Sequence, residues 1–181
     1  MYKEMDINKA FLALESGPVI LIGSRFKGKD NLMTISWQMP NEFSGTIAIT
    51  TGDWNYSFKG IMENKACTIM VPDSSMIETV VKIGAVSGRD CDKFQMFNLK
   101  KESGKIVSSP IIEGCLCAFE CEVLDYIEKY SILILKVVRA LCDESLGDKR
   151  VYHAVGDGRF TLDGETINLR SLMEDKLPLG V

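Results

Sequence analysis

The sequence has 181 residues, of which 46% are hydrophobic, and its net charge is −4, so we expect one folded domain over residues 1–181 rather than a disordered chain. The negative charge argues against a nucleic-acid partner, which requires a basic surface, although one local basic pocket could still hold a small anion. No apolar run approaches the roughly 20 residues of a membrane span, and the charged N-terminus lacks the apolar core of a signal peptide, so we expect a cytoplasmic protein without membrane contact.

The first part of the chain predicts one helix followed by strands. Ile7, Ala10, Phe11 and Leu14 recur at helical spacing, and Asp6 is placed to cap that helix. Strands are then expected over residues 18–26, 31–37 and 45–51. The turn between the first two strands makes them a hairpin.

The middle of the chain predicts helices around one strand. The expected elements are a short helix that ends near Asn64, a strand over residues 66–71 and helical turns within residues 90–97. Ser75 and Glu78 have the spacing of a capping box, which predicts that Ser75 caps the helix that follows.

The last part of the chain predicts strands again. The expected elements are two long strands over residues 115–127 and 130–142, a charged loop over residues 143–150, and short strands around Tyr152 and Phe160. Hairpin connections with inserted helices argue against a parallel, doubly wound sheet. They favour a mainly β protein, a closed or nearly closed antiparallel β-barrel with a few helices outside it.

The six cysteines are expected to be reduced thiols, because the sequence shows no secretory signal. Cys115, Cys117 and Cys121 raise the question of a metal site, but their spacing is unlike that of zinc sites and the single histidine, His153, is distant in sequence. With Phe119 these cysteines alternate as residues on one face of a strand do. We therefore predict buried strand thiols and no metal.

Common catalytic motifs are missing from the sequence: there is no phosphate loop, no dinucleotide fingerprint after the first strand and no hydrolase elbow. Three other segments stand out. Thr34 and Ser36 place two hydroxyls on one strand face before Trp37, or simply form a solvated face. Residues 54–57 precede a helix whose free N–H groups suit a phosphate, although capping alone explains them. Residues 87–93 hold two cations beside a small turn, either an anion pocket or a solvated loop.

In their order and spacing these segments resemble the flavin reductase-like, FMN-binding split-barrel family, and its flavoredoxin branch most closely. The most specific match is Ser-Gly-Arg-Asp-Cys-Asp-Lys-Phe at residues 87–94. The other matching segments are residues 18–22, 31–37, 56–57, 71–72, 110–115 and 151–160. The resemblance implies an antiparallel split barrel of Greek-key type and a homodimer with FMN near the subunit interface.

The resemblance also implies site residues. The cofactor-binding residues at the flavin ring and ribityl chain would be Thr34, Ile35, Ser36 and Trp37. Tyr56 and Ser57 would lie at the phosphate, and the contacts with the phosphate and the ribityl chain would be completed by Ser87, Gly88, Arg89 and Lys93. His153 would lie near the open face of the ring as the catalytic residue, or would only hydrogen-bond to backbone. The sequence departs from the family at residues 38–45 and at Asn55, where a basic residue is expected.

Three functions follow as alternatives. The first is a flavin-dependent oxidoreductase that NAD(P)H reduces and that passes electrons to flavin, iron or a protein. The second is a flavoredoxin-type electron carrier served by a ferredoxin-like or other redox protein, without nicotinamide activity. The third is a split barrel that binds another ligand, or none, and in which thiols carry out the redox chemistry. Cys91 could lie near the pocket and take part in that chemistry, or it could be a thiol without a role.

Overall fold

The computed structural model describes residues 1–146, 150–173 and 176–178, so part of the charged loop predicted over residues 143–150 lies outside the described residues. The strands are β1 (Lys3–Met5), β2 (Ile20–Phe26), β3 (Lys29–Ile35), β4 (Gln38–Glu42), β5 (Thr46–Thr50), β6 (Ala66–Pro72), β7 (Lys101–Ser103), β8 (Pro110–Ile112), β9 (Cys115–Ile127), β10 (Ile132–Cys142), β11 (Tyr152–Ala154) and β12 (Phe160–Leu162). The α-helices are α1 (Tyr56–Asn64), α2 (Ile77–Ala85) and α3 (Lys93–Met96), and 3₁₀ turns cover Ile7–Ala13, Ser74–Met76, Glu128–Tyr130 and Arg170–Leu172.

The main sheet is antiparallel, with strand order β3-β2-β6-β9-β10-β5-β4 and β1 added beside β10. Strands β3 and β4 stand at opposite ends of this order, yet only Ser36 and Trp37 separate them in the chain. Because an extended residue spans at most about 3.6 Å, the two ends of the sheet must approach each other. The sheet is therefore curled into a barrel, and the predicted antiparallel architecture is confirmed.

Alternating side chains build two apolar layers. Ile20 and Ile22 of β2 point into the barrel with residues from β3, β5, β6, β9 and β10. Leu21 points outward, where it packs with Val80 and Ile83 of α2 in a second cluster. This alternation fixes α2 on the outside of β2 and β3, and the outer layer positions the site described below. Within the described residues, no helix combines the length and apolar character needed to cross a membrane.

One buried carboxylate fastens a loop to the barrel. Glu120 is 0% exposed and accepts hydrogen bonds from the backbone N–H groups of Lys105, Ile106 and Val107 at 2.9, 2.6 and 2.8 Å. Arg139 donates to it at 2.6 Å. A buried carboxylate with this many donors is satisfied, so its role is structural.

Four sequence predictions need correction. The segment over residues 7–14 is a 3₁₀ helix, although Asp6 does cap it. Ser75 does not cap α2: the side chain of Asp73 accepts from the Ser75 N–H, and a 3₁₀ turn precedes the helix. Residues 38–42 form strand β4, which was not predicted, and neither were the short strands β1, β7 and β8. Cys115 does not share a face with the other alternating residues of β9, because a β-bulge turns it into the outer cluster.

Candidate functional site

A polar cavity of about 290 Å³ opens where β3, the start of α1 and the end of α2 meet. Its wall consists of Asn31, Met33 and Thr34 from β3, residues 54–57, residues 84–88 and Lys93. We call it the polar cavity. It brings together six of the predicted site residues: Thr34, Tyr56, Ser57, Ser87, Gly88 and Lys93.

A buried hydrogen bond joins two sides of the polar cavity. Asn31 Nδ2 donates to Ser57 Oγ at 2.7 Å, and Asn31 and Ser57 are only 5% and 2% exposed. Because Ser57 accepts this bond, its own hydroxyl hydrogen remains available to donate. Asn31 Oδ1 is buried and has no hydrogen-bond partner in the described structure. Buried polar atoms are rarely left unsatisfied, so this acceptor is a candidate ligand contact.

Helix α1 begins at the polar cavity. Asn55 occupies the N-cap position in an extended conformation, but its side chain makes no capping bond; it donates to Thr51 Oγ1 at 3.3 Å instead. The first N–H groups of a helix lack intrahelical acceptors and carry a partial positive charge. The start of α1 therefore presents donors to an anion without a competing side chain.

The end of α2 and the loop after it approach β3 closely, and at Gly88 the approach leaves no room for a side chain. A Cβ on Gly88 would collide with the amide of Asn31, and one on Gly84 would lie 3.2 Å from Thr34 Cβ. Ser87 holds the loop in shape, since its Oγ accepts the Arg89 N–H at 3.2 Å. Ser87 therefore fixes the shape of the loop, and Gly88 allows the loop to lie directly against Asn31.

Lys93 places a positive charge behind this wall. Its ammonium donates to the carbonyls of Leu32 and Ile83 at 2.7 and 2.9 Å, and the residue is 4% exposed. Burial lowers the pKa of Lys93 to about 8. An ammonium has three donors, so two hold the protein together and the third remains for a ligand.

Arg89 lies outside the polar cavity, at its rim. Its guanidinium carbon stands 5.9 Å from the ring centroid of Tyr56, a distance at which a cation and a ring attract. Arg89 lines a neighbouring charged pocket of about 450 Å³, which shares Gly88 with the polar cavity. Loop and helix are thus bridged beside the cavity.

The structure separates the remaining predicted residues from the polar cavity. Ile35 is 7% exposed and belongs to the barrel interior. Ser36 is exposed and is not part of the wall. Trp37 is 72% exposed and lines a second, apolar groove of about 220 Å³ with Met39. The chain turns into β4 at this point, so residues 34 and 37 face different hollows.

His153 also lies apart from the wall of the polar cavity. Its Nδ1 contacts the carbonyl of Gly17 at 3.1 Å and its Nε2 contacts Asp163 Oδ1 at 2.8 Å. Both partners are acceptors, so both bonds are made together only when both ring nitrogens carry hydrogen. The Gly17 bond ties the hairpin of β11 and β12 to the segment that leads into β2, and the Asp163 bond joins β11 to the residue after β12. The catalytic role of His153 stays a prediction.

Sequence reasoning missed Asn31 and Trp54, which line the polar cavity. Asn31 follows a turn and looks like an ordinary polar residue at the start of a strand, and only packing shows that it is buried. Trp54 packs on Gly52, whose Cβ would overlap the indole. In the described part of the chain, no group of three or more His, Cys, Asp or Glu residues is placed to hold a metal.

Comparisons with known proteins show the family and the fold of the chain. The family model for the flavin reductase like domain matches residues 12–159. The uncharacterized protein YddH of Escherichia coli (strain K12) is 28% identical over 90% of this chain and 95% of that protein. An FMN-binding domain of a flavin reductases-like enzyme from Shewanella baltica OS155 superposes with a TM-score of 0.86 at 20% identity, over 93% of this chain and 97% of that one.

Flavoredoxin from Methanosarcina acetivorans superposes with a TM-score of 0.74 at 25% identity, over 86% of this chain and 92% of that one. The similarities confirm the mainly β split-barrel fold and the resemblance to flavoredoxin.

Proposed function

Because the chain belongs to the flavin reductase like domain family, we propose that it is an FMN-binding oxidoreductase that takes electrons from NAD(P)H and passes them to flavin, iron or a protein acceptor. Residues 1–181 act as one domain, in the cytoplasm, as a homodimer. When bound, FMN supplies the redox chemistry. The protein binds it, orients it and shields it from water.

The observation that carries the proposal is the Asn31–Ser57 pair at the start of α1. A flavin phosphate requires several donors around one anion. The free hydroxyl hydrogen of Ser57, the first N–H groups of α1 and the third N–H of Lys93 meet that requirement in a cavity of about 290 Å³. The unpartnered Asn31 Oδ1 would accept a hydrogen bond from a hydroxyl of the ribityl chain. The residues present therefore fit FMN.

The outer edge of β3 supplies the contacts for the flavin ring. The Leu32 carbonyl accepts a hydrogen bond from Lys93, which indicates that this carbonyl points away from β2. Backbone groups two residues apart on a strand point to the same side, so the N–H of Thr34 faces outward as well. The Thr34 hydroxyl donates to Val80 O at 2.7 Å, which fixes the side chain. A fixed backbone donor at a ring edge stabilises negative charge that develops there.

The size of the polar cavity and the apolar groove at Trp37 support the proposed homodimer. Ligand cavities usually enclose about 300–1,000 Å³, and the polar cavity lies just below that range. Trp37 and Met39 are 72% and 56% exposed on β4, a terminal strand of the sheet. A second subunit on this edge would bury both side chains and complete the cofactor site.

The experiment that tests the proposal mixes the FMN-loaded protein anaerobically with NADH or NADPH and follows the flavin absorbance. Loss of the absorbance with either nicotinamide supports the oxidoreductase. The similarity to flavoredoxin supports a second candidate function, that of an electron carrier. For an electron carrier, the bound flavin keeps its absorbance with both nicotinamides and loses it with a reduced ferredoxin. A flavin that responds to neither donor rejects both.

The catalytic prediction for His153 is tested by His153→Ala. If the ring acts at the open face of the flavin, the rate of flavin reduction by the nicotinamide falls at least tenfold while FMN affinity is unchanged. If the ring only clasps Gly17 and Asp163, the rate is unchanged and the denaturation midpoint falls. Asp163→Ala removes the Nε2 hydrogen bond and keeps the imidazole ring, so it separates the loss of a structural bond from the loss of the ring.

A further inference from the structure

Four thiols outside the polar cavity form two cross-strand pairs. Cys117 of β9 stands directly opposite Cys142 of β10, and Cys67 of β6 stands directly opposite Cys121 of β9. Directly opposite residues of antiparallel strands point to the same face of the sheet. Each pair therefore has its two side chains side by side on one face of the sheet, and the proposed function uses none of these thiols.

The Cys117–Cys142 pair occupies a non-hydrogen-bonded position. The N–H of Asp143 donates to the Leu116 carbonyl at 2.8 Å, so the neighbouring pair 143–116 is the hydrogen-bonded one. Opposite residues alternate between the two kinds of position, and the non-hydrogen-bonded kind brings side chains closer, with Cβ atoms about 4.5 Å apart. A disulfide joins Cβ atoms about 3.5–4.5 Å apart. Little movement is needed to join these sulfurs.

The Cys67–Cys121 pair occupies the other kind of position. The N–H of Val123 donates to the Lys65 carbonyl at 2.9 Å, and the ladder runs without a shift to Cys67 and Cys121, two residues further. That pair is therefore hydrogen-bonded, with Cβ atoms about 5.5 Å apart, and both residues are 0% exposed. Cys67 and Cys121 therefore form a control pair within the same protein: their Cβ atoms are too far apart for a disulfide, and both residues are closed to solvent.

Cys117 and Cys142 are also accessible to a small oxidant, since both are partly exposed. We propose that Cys117 and Cys142 form a reversible redox pair, which a hydroperoxide closes into a cross-strand disulfide. The Cys142 thiolate attacks one oxygen of hydrogen peroxide, which breaks the O–O bond and, after protonation, leaves a sulfenic acid and water. The Cys117 sulfur then attacks that sulfenic sulfur, and the hydroxyl leaves as a second water.

The order of the two steps follows from burial. Burial raises the pKa of Cys117 to about 12, with a smaller contribution from Cys142, so Cys117 remains a thiol and makes the poorer first nucleophile. Overall the two thiols lose two hydrogens and two electrons, and these reduce the peroxide to water. The bond closes the β9–β10 hairpin at the end opposite its turn, beside β1, which pairs with β10 through Lys3 and Cys142.

The test treats the reduced full-length protein with hydrogen peroxide, blocks the remaining thiols and identifies tryptic peptides by mass spectrometry without reduction. We expect a link between the peptides that carry Cys117 and Cys142, lost after a dithiol reductant. Cys142→Ala and Cys117→Ala should each abolish it. Cys121→Ala, which removes a thiol from the same tryptic peptide as Cys117, should leave it intact.

Several results would overturn the proposal. One is a link that survives in Cys142→Ala, and another is a link between Cys67 and Cys121. A third is sulfinic acid at Cys142 without any link, which would show that the two sulfurs do not meet. Where Cys117→Ala does not fold, Cys117→Ser replaces it, and the partly exposed Cys142 carries the decisive variant.

Discussion

Ser57→Ala removes the hydroxyl that we assign to the phosphate of FMN. A hydrogen bond to a charged group contributes about 1.5–3 kcal/mol, so its loss should raise the dissociation constant for FMN roughly 10- to 150-fold. Riboflavin lacks the phosphate, so its affinity should change by less than about threefold. The folded protein should also lose stability, by about 1–3 kcal/mol, because Asn31 Nδ2 loses its acceptor in a buried site.

The assay is quenching of flavin fluorescence, titrated with FMN and with riboflavin at fixed ionic strength. Ser109→Ala is the matched control: Ser109 is also buried, at 1% exposed, but lies outside the polar cavity, and its hydroxyl has no hydrogen-bond partner in the described structure. Equal losses of affinity for FMN and riboflavin in Ser57→Ala would refute the phosphate assignment. Unchanged FMN affinity in a folded variant would refute it as well.

The remaining predictions concern the wall, the buried cation and the loop anchor. Gly88→Ala should weaken FMN binding at least tenfold, because the new Cβ collides with the side-chain amide of Asn31. Gly164→Ala should leave FMN binding unchanged, because a Cβ at Gly164 meets no other atom. FMN affinity should fall as the pH rises through about 8, where Lys93 loses its charge, and Lys93→Met should remove this step. Because the pKa of Lys93 is lower in the folded than in the unfolded chain, the stability of the wild type relative to Lys93→Met should rise above pH about 8. Glu120→Gln should lower the free energy of unfolding in urea by about 3–5 kcal/mol, while Glu122→Gln, exposed on the same strand, should change it by less than about 0.5 kcal/mol; equal effects would contradict the anchoring role.

Local sequence patterns predicted most strands, because a strand can be recognised from alternating apolar and polar residues that end at a turn. β9 and β10 have long alternating segments, and their bounds differ from the prediction by at most two residues. β4 was missed because Pro40 and several polar residues make it look like a loop. Proline is tolerated there because β4 pairs with β5 alone among the described strands, so its other side donates to no ladder.

The candidate site was predicted in part, and the failures have tertiary causes. Residues 56–57, 87–88 and 93, which the sequence grouped into one site, do line one cavity, because the helix start and the Gly-containing loop carry local signals; their contacts with FMN stay a prediction. Trp37 was grouped with Thr34 by the family resemblance, but β3 ends between them at Ile35, and Trp37 lines the apolar groove instead. The burial of Asn31 depends on contacts with α1 and the loop after α2, which no local pattern contains.

The most direct test of the account is whether the purified chain retains FMN. The protein is incubated with excess FMN, desalted, and its flavin absorbance is compared with its protein concentration. The wild type and Ser109→Ala should each retain about one FMN per chain, and Gly88→Ala should retain clearly less. A wild-type protein that emerges colourless and gives no saturable FMN titration would contradict the assignment of the polar cavity.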